Sequence, residues 1–172
     1  MISVIKATEG DCNAIVDIGR ISVADSHQGS CSAEEMDEFL ERNYNVDTIK
    51  GELNDVKNIY YIINYNDQPV GFSKIILNEK HSNIAAENVA KLDRIYLLKE
   101  FYGLKLGFEL LNFNIELARR NDQLGMWLYT WIGNTRAINF YLKVGFTIIG
   151  SHKYYVNETH YDMTHQLFID FK

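Results

Sequence analysis

Apolar positions along this chain fall into two kinds of run. Short stretches of consecutive or alternating apolar residues suit strands, and longer stretches with apolar residues three and four apart suit helices. Residues 3–6 read as a short strand. Thr8-Glu9-Gly10-Asp11 then resembles the capped start of a helix with Ala14, Ile15, Ile18 and Ile21 on its apolar side. A second capping box, Ser32-Ala33-Glu34-Glu35, opens a helix that turns Met36, Phe39 and Leu40 inward. Residues 45–53 fit a further short helix, and His27-Gln28-Gly29-Ser30 is a polar loop between the first two helices.

Residues 59–65 and 70–77 are strand-like runs joined by Asn66-Asp67-Gln68-Pro69, which predicts a hairpin. A polar loop over 78–88 leads to a strand at 89–97. From Gly107, the residues Leu110, Phe113 and Leu117 recur at helical spacing until about Asp122. The near-continuous apolarity of 125–131 suits an interior strand covered on both faces. Asn134 is placed to cap a short helix carrying Ala137, Phe140, Tyr141 and Val144 on one face, with Gly145 where a helix-ending glycine belongs. Residues 146–150 and 165–171 read as the last strands around a polar connection. The pattern predicts an α/β or α+β fold: a mixed sheet of six or seven strands with helices on both faces, in a single domain over 1–172.

Composition narrows the class of partner. The net charge of −6 over 172 residues gives no electrostatic reason to expect a nucleic acid or an anionic membrane, and it suits a cationic substrate. No segment has the length of a membrane span or the apolar region of a signal peptide. Cys12 and Cys31 fit neither a disulfide framework nor a zinc site, so a reduced, cytoplasmic setting and no metal are expected. His160 and His165 flank Asp162, but they straddle a change from loop to strand, which argues against a metal there. Glu34, Glu35, Asp37, Glu38 and Glu41 read as a solvated helix face, with an acidic wall for a polyamine as the alternative. Trp127 and Trp131 read as core packing, with the floor of a pocket as the alternative. Nothing in the sequence fixes the oligomeric state, and a homodimer is left open.

The chemistry concentrates in two places. Leu92-Asp93-Arg94-Ile95-Tyr96-Leu97, then Glu100-Phe101-Tyr102-Gly103-Leu104-Lys105-Leu106-Gly107, reads as strand, glycine-bearing turn and helix start. Such a turn aims backbone N–H groups and the positive end of a helix dipole at one point, which makes an anion site suited to phosphate. The second place is Asn134-Thr135-Arg136-Ala137-Ile138-Asn139-Phe140-Tyr141-Leu142-Lys143-Val144-Gly145-Phe146.

Taken in order, these two segments resemble the GNAT acetyltransferase superfamily, and the resemblance runs over nearly the whole chain. The segment from Leu92 to Phe101, with the N-terminal helices and the hairpin, most resembles the PaiA-type spermidine/spermine acetyltransferases. The resemblance implies a mostly antiparallel sheet and acetyl-CoA as co-substrate. It implies that Ile95, Tyr96 and Leu97 pair with the pantetheine arm, and that the turn of Tyr102, Gly103, Leu104, Lys105, Leu106 and Gly107 holds the pyrophosphate. Asn134 would touch the cofactor arm, and Tyr141 would serve as general acid toward the leaving thiolate. A phenol of pKa ~10 can protonate a thiolate whose conjugate thiol has a pKa of roughly 8.5. The superfamily turn reads Q/R-x-x-G-x-G/A, so Tyr102 stands at the Gln/Arg position and Lys105 at the central glycine.

Asp93 is the candidate base, with a water relay as the alternative. Backbone N–H groups around Ile95 and Tyr96 would steady charge on the acetyl oxygen if a bulge frees them. The resulting expectation is direct acetyl transfer to a primary amine, with a polyamine first. An aminoglycoside-like compound, an amino-acid derivative, a protein amino group, or a sensor that binds acyl-CoA without turnover stand as alternatives.

Overall fold

The structure, a computed structural model, describes Met1–Lys172. Its elements are β1 (Ile2–Lys6), α1 (Cys12–Ser26), α2 (Ala33–Asn43), α3 (Val46–Asn54), β2 (Ile59–Tyr65), β3 (Gln68–Ile76), β4 (Ala90–Leu97), α4 (Leu106–Arg120), β5 (Gly125–Trp131), α5 (Thr135–Val144), β6 (Thr147–Tyr155) and β7 (Tyr161–Asp170). The seven strands lie in the order β1-β2-β3-β4-β5-β7-β6, antiparallel throughout except between β4 and β5. No helix is long and apolar enough to cross a membrane.

Two cores hold the helices to opposite faces of this sheet. On one face Ile15, Ile18 and Val23 of α1 pack with Leu40, Ile49, Tyr60, Ile62 and Phe72. On the other, Leu111, Ile115 and Ala118 of α4 pack with Met126, Leu128, Tyr141 and Phe146. Alternation along β5 divides its side chains between the two, so Met126 and Leu128 face α4 while Trp127, Tyr129 and Trp131 face the α1 side.

Ile15 and Ile18 of α1 are buried as the apolar periodicity predicts, but the C-terminal part of that face departs from it. Ile21 is exposed, and Gly19 and Ser22 are buried in its place. Tyr44 fills the space beside Gly19, so that a Cβ there would come within 2.3 Å of the ring. In α4 the buried face is Leu110, Leu111, Asn114, Ile115 and Ala118, with Phe113 and Leu117 at its margins. Asn114 is tolerated in the core because its amide donates to Ser73 Oγ at 2.9 Å and to the Leu110 carbonyl at 2.8 Å. The last two strands are longer than predicted, and the polar connection between them is mostly paired sheet. β6 is an edge strand exposed on nearly every residue, so it carries no apolar alternation.

Candidate active site

β4 and β5 start side by side and then part. Ala90 pairs with Met126 and Lys91 with Trp127, and no later residue of β4 has a partner on β5. Beyond that point the inner edge of β4 is free. Which groups it offers follows from the other edge. Leu98 N–H donates to the Val70 carbonyl at 2.9 Å, so alternation makes Tyr96 and Arg94 the residues bonded to β3. Ile95 and Leu97 therefore turn their N–H and C=O groups into the split. Tyr96 does not; it contributes its side chain on the α1 face, packed on Phe72.

A bulge interrupts β4 at Asp93. Lys74 lies opposite Arg94 and Ile75 opposite Leu92, which leaves Asp93 as the extra residue. Two consecutive charged side chains are thereby aimed at one face. Asp93 accepts from Lys91 at 2.9 Å and from Lys74 at 3.1 Å; Lys74 also reaches Glu52 at 3.1 Å, and Arg94 reaches Glu52 at 3.2 Å. Tyr60 donates to the same Glu52 carboxylate. Burial works against ionisation of Asp93, but Lys91 and Lys74 together outweigh it and hold the carboxyl below its ordinary range. That favours a fixed anion over a proton acceptor near neutral pH.

The turn after β4 takes the shape its motif implies. Gly103 has φ +84°, and Lys105 has φ +62° with ψ 7°, so lysine adopts the left-handed conformation that glycine adopts without cost. Gly107 lies within α4, where a Cβ would make only ordinary contact with Phe140. No side chain caps α4, and its first N–H groups face outward at the turn. Across the split, Asn134 Oδ1 caps α5 by accepting from Ala137 N–H at 3.1 Å. Arg136, one residue beyond the start of α5, lies over Tyr102 with its guanidinium carbon 3.7 Å from the ring centre.

A cavity of about 590 Å³ runs through the split and joins the two faces. Ile95, Tyr96, Leu97, Tyr102, Gly107, Asn134 and Tyr141 all line it; Gly103, Leu104, Lys105 and Leu106 do not, since the first three lie exposed at the turn and Leu106 is buried beneath it. Tyr141 is 7% exposed, and burial followed by the nearby Tyr96 pushes its phenol well above the ordinary range, with Arg136 pulling the other way. Tyr96 itself is pushed up to about 12, chiefly by burial. Both phenols keep their protons at neutral pH.

The α1 side of the cavity holds Trp131, weighed from sequence as a pocket floor, and residues that sequence reasoning did not single out for the site: Ser22, His27, Tyr44, Tyr154 and Asp162. Trp131 is a wall of the cavity, whereas Trp127 is core and donates its indole N–H to the Glu79 carbonyl at 2.7 Å. The acids of α2 face away from the cavity, as a solvated face would. Glu35 is tied instead to His160 at 2.9 Å and Asn157 at 3.0 Å. No group of three or more His, Cys, Asp or Glu residues is placed to hold a metal ion, and both cysteines are free.

A seven-stranded, mostly antiparallel sheet split at its one parallel pair, with an uncapped helix start on one side and a phenol in the gap, is the architecture of an acyl-CoA-dependent transferase. The chain belongs to the acetyltransferase (GNAT) family, whose sequence model matches residues 20–146, and it is an acetyl-CoA-dependent N-acetyltransferase. Over 157 residues, 91% of each chain, it is 27% identical to an uncharacterized N-acetyltransferase from Lactobacillus delbrueckii subsp. lactis. The fold is shared with the PaiA N-acetyltransferase of Thermoplasma acidophilum, solved in complex with coenzyme A, at a TM-score of 0.80 and 18% identity over 99% of both chains. It is also shared with the ribosomal-protein-S18-alanine N-acetyltransferase of Escherichia coli, at a TM-score of 0.71 and 15% identity over 99% of this chain and 94% of that one.

Proposed function

We propose that this enzyme acetylates a primary amine of a small cationic acceptor, with a polyamine as the leading substrate and Tyr141 as the general acid. The observation that carries the reading is the cavity through the β4–β5 split, which has a buried phenol in the gap and the carboxylates Asp93 and Asp162 on the acceptor side. Phe39, Trp131 and Tyr154 line the same side, and aromatic faces attract ammonium groups.

The residues fit the cofactor on this structure's own terms. The uncapped start of α4 and the left-handed Lys105 make a nest of N–H groups for the pyrophosphate, and the free edges of Ile95 and Leu97 suit the amides of the pantetheine arm. When bound, acetyl-CoA supplies a thioester whose acyl carbon accepts the amine and whose sulfur departs. Tyr141 holds the proton that the sulfur needs. Its raised pKa keeps that proton on the phenol, and handing it to a thiolate whose thiol has a pKa of about 8.5 is uphill, so Tyr141 hydrogen-bonds to the departing sulfur as charge develops there and gives up its proton only as it regains one from solvent. Asp93 serves as a fixed charge at the bulge, and a proton acceptor is needed elsewhere.

A second reading has one observation in its favour. Lys74, Lys91 and Arg94 oppose only Glu52 and Asp93, so this network carries one surplus positive charge and would suit an amine that also bears a carboxylate, such as an amino-acid derivative.

Release of free thiol from acetyl-CoA, measured with spermidine, an aminoglycoside, amino acids and a short peptide, separates the two readings. Spermidine should give the highest kcat/KM, and Tyr141→Phe should lower kcat by roughly 10²-fold or more. Preference for an amino acid would replace the polyamine, and an unchanged kcat in Tyr141→Phe would remove the acid assignment.

A further inference from the structure

α1 ends at His27, and its last turn fixes the imidazole. His27 Nδ1 lies 3.1 Å from the Val23 carbonyl oxygen, and Ser26 Oγ lies 3.2 Å from that oxygen and 2.9 Å from Nδ1. A Ser26 hydroxyl turned to Nδ1 would place the ring hydrogen on Nε2; we take the tautomer in which Nδ1 donates to the Val23 carbonyl, which only accepts and which also takes the Ser26 hydroxyl and the His27 backbone N–H. The neutral ring then has its lone pair on Nε2, and Nε2 has no hydrogen-bond partner in the protein.

Where that lone pair sits is set by β5. The ring stacks on Trp131, with centroids 5.8 Å apart and planes within 19°. Trp131 lies beyond the point where β4 and β5 part, so His27 sits over the split, in the cavity that also holds Tyr141. A second polar atom from α1 is left over in the same cavity. Ser22 Oγ is buried, lines the cavity and has no partner, five positions before the imidazole.

We propose that His27 Nε2 takes the proton from the acceptor nitrogen, making His27 the general base of the transfer. This rests on an amine acceptor but not on which amine it is. As the neutral nitrogen bonds to the acyl carbon and the carbon–sulfur bond breaks, one N–H bond of the acceptor breaks and an Nε2–H bond forms. Sulfur receives the Tyr141 proton. Imidazolium then gives its proton to solvent and Tyr141 regains one, so the sum is amine plus thioester to amide plus thiol. A nitrogen undergoing acylation becomes strongly acidic, so a weak base suffices.

Burial lowers the pKa of His27 from its ordinary 6.5, against opposing pulls from the Val23 carbonyl and from Asp162. Asp162, on β7, is the charged group that bears on the ring from the sheet, while Asp25 on α1 itself is exposed. The ring is neutral, and ready to accept, at physiological pH.

Three measurements test this. ¹⁵N-histidine NMR of the protein without cofactor should show Nδ1 protonated, Nε2 bare, and a titration midpoint below 6.5. His27→Asn keeps an N–H toward Val23 but has no Nε2; its kcat should fall roughly 10²- to 10³-fold while coenzyme A affinity by calorimetry stays within about twofold. In the wild type, log kcat/KM should rise with slope one from amine deprotonation and steepen to slope two below the His27 midpoint. The variant should keep slope one throughout. An Nε2–H tautomer, a midpoint at or above about 6.5, or a variant that keeps both kcat and the steeper limb overturns the assignment, whatever Tyr141→Phe does. Loss of turnover in Tyr141→Phe alone leaves the acid in place and removes the base. Absence of turnover with every amine overturns both.

Discussion

Arg136 stacks on Tyr102, guanidinium carbon to ring centre at 3.7 Å, and so joins the first turn of α5 to the phosphate turn across the β4–β5 split. Tyr102 stands where the family pattern has a glutamine or arginine, and Arg136 brings a positive charge back to that spot from another helix. A double-mutant cycle on Arg136→Ala and Tyr102→Ala should show coupling of about 0.5–2 kcal/mol in unfolding free energy. Additive losses would mean that the stack does not bind the two motifs together.

Lys105 separates two effects that glycine would merge. Its left-handed backbone costs about 1 kcal/mol in a residue with a side chain, so Lys105→Gly should stabilise the free protein by about that amount. The same change removes a cation from the phosphate turn and should weaken coenzyme A binding roughly fivefold at low salt, with the difference shrinking as salt is raised. Lys105→Ala should lose affinity without gaining stability. Thermal melts and calorimetry at two salt concentrations read both.

Asp93 should show itself in the acid limb of stability. Its folded-state pKa is depressed, so the stability it confers is fully present above its unfolded value of about 3.9 and is lost as pH falls through the lower folded value. Asp93→Asn leaves Lys74 and Lys91 short of a partner and should cost about 3 kcal/mol at pH 7. Denaturant unfolding of both proteins should show that gap closing below pH 4 or so. A constant gap down to pH 2 or so would mean that packing, not charge, sets it.

Asp162 is the carboxylate of the acceptor side with the fewest partners; His160 Nε2 approaches it at 3.5 Å. Asp162→Asn should raise KM for a diamine or polyamine roughly tenfold, leave KM for acetyl-CoA unchanged, and alter KM little for an acceptor with a single amine. A uniform rise across acceptors would point to lost pocket shape.

Much of this was legible in the order of residues. β2 and β5 fall where apolar runs predict them, the caps at Ser32 and Asn134 form as their spacing implies, and mostly antiparallel pairing follows the family resemblance. What stayed hidden depends on distant partners. The outward turn of Ile21 follows from Tyr44 and the cavity claiming the inner face of α1. His27 read as loop because nothing in its neighbours says that Trp131 lies beneath it, and the clasp of Glu35 by His160 spans 125 positions. The length of β6 was hidden because an edge strand wet on both sides leaves no period-two signal.

Two residue pairs, Ala90 with Met126 and Lys91 with Trp127, are all the strand pairing between the four strands on one side of the split and the three on the other. The sheet is in effect two half-sheets riveted at one end, and the proposed place of the cofactor arm is along the unriveted part. A bound donor is therefore a structural member as well as a reactant, and each order of magnitude of its concentration above Kd adds about 1.4 kcal/mol to the cohesion of the whole.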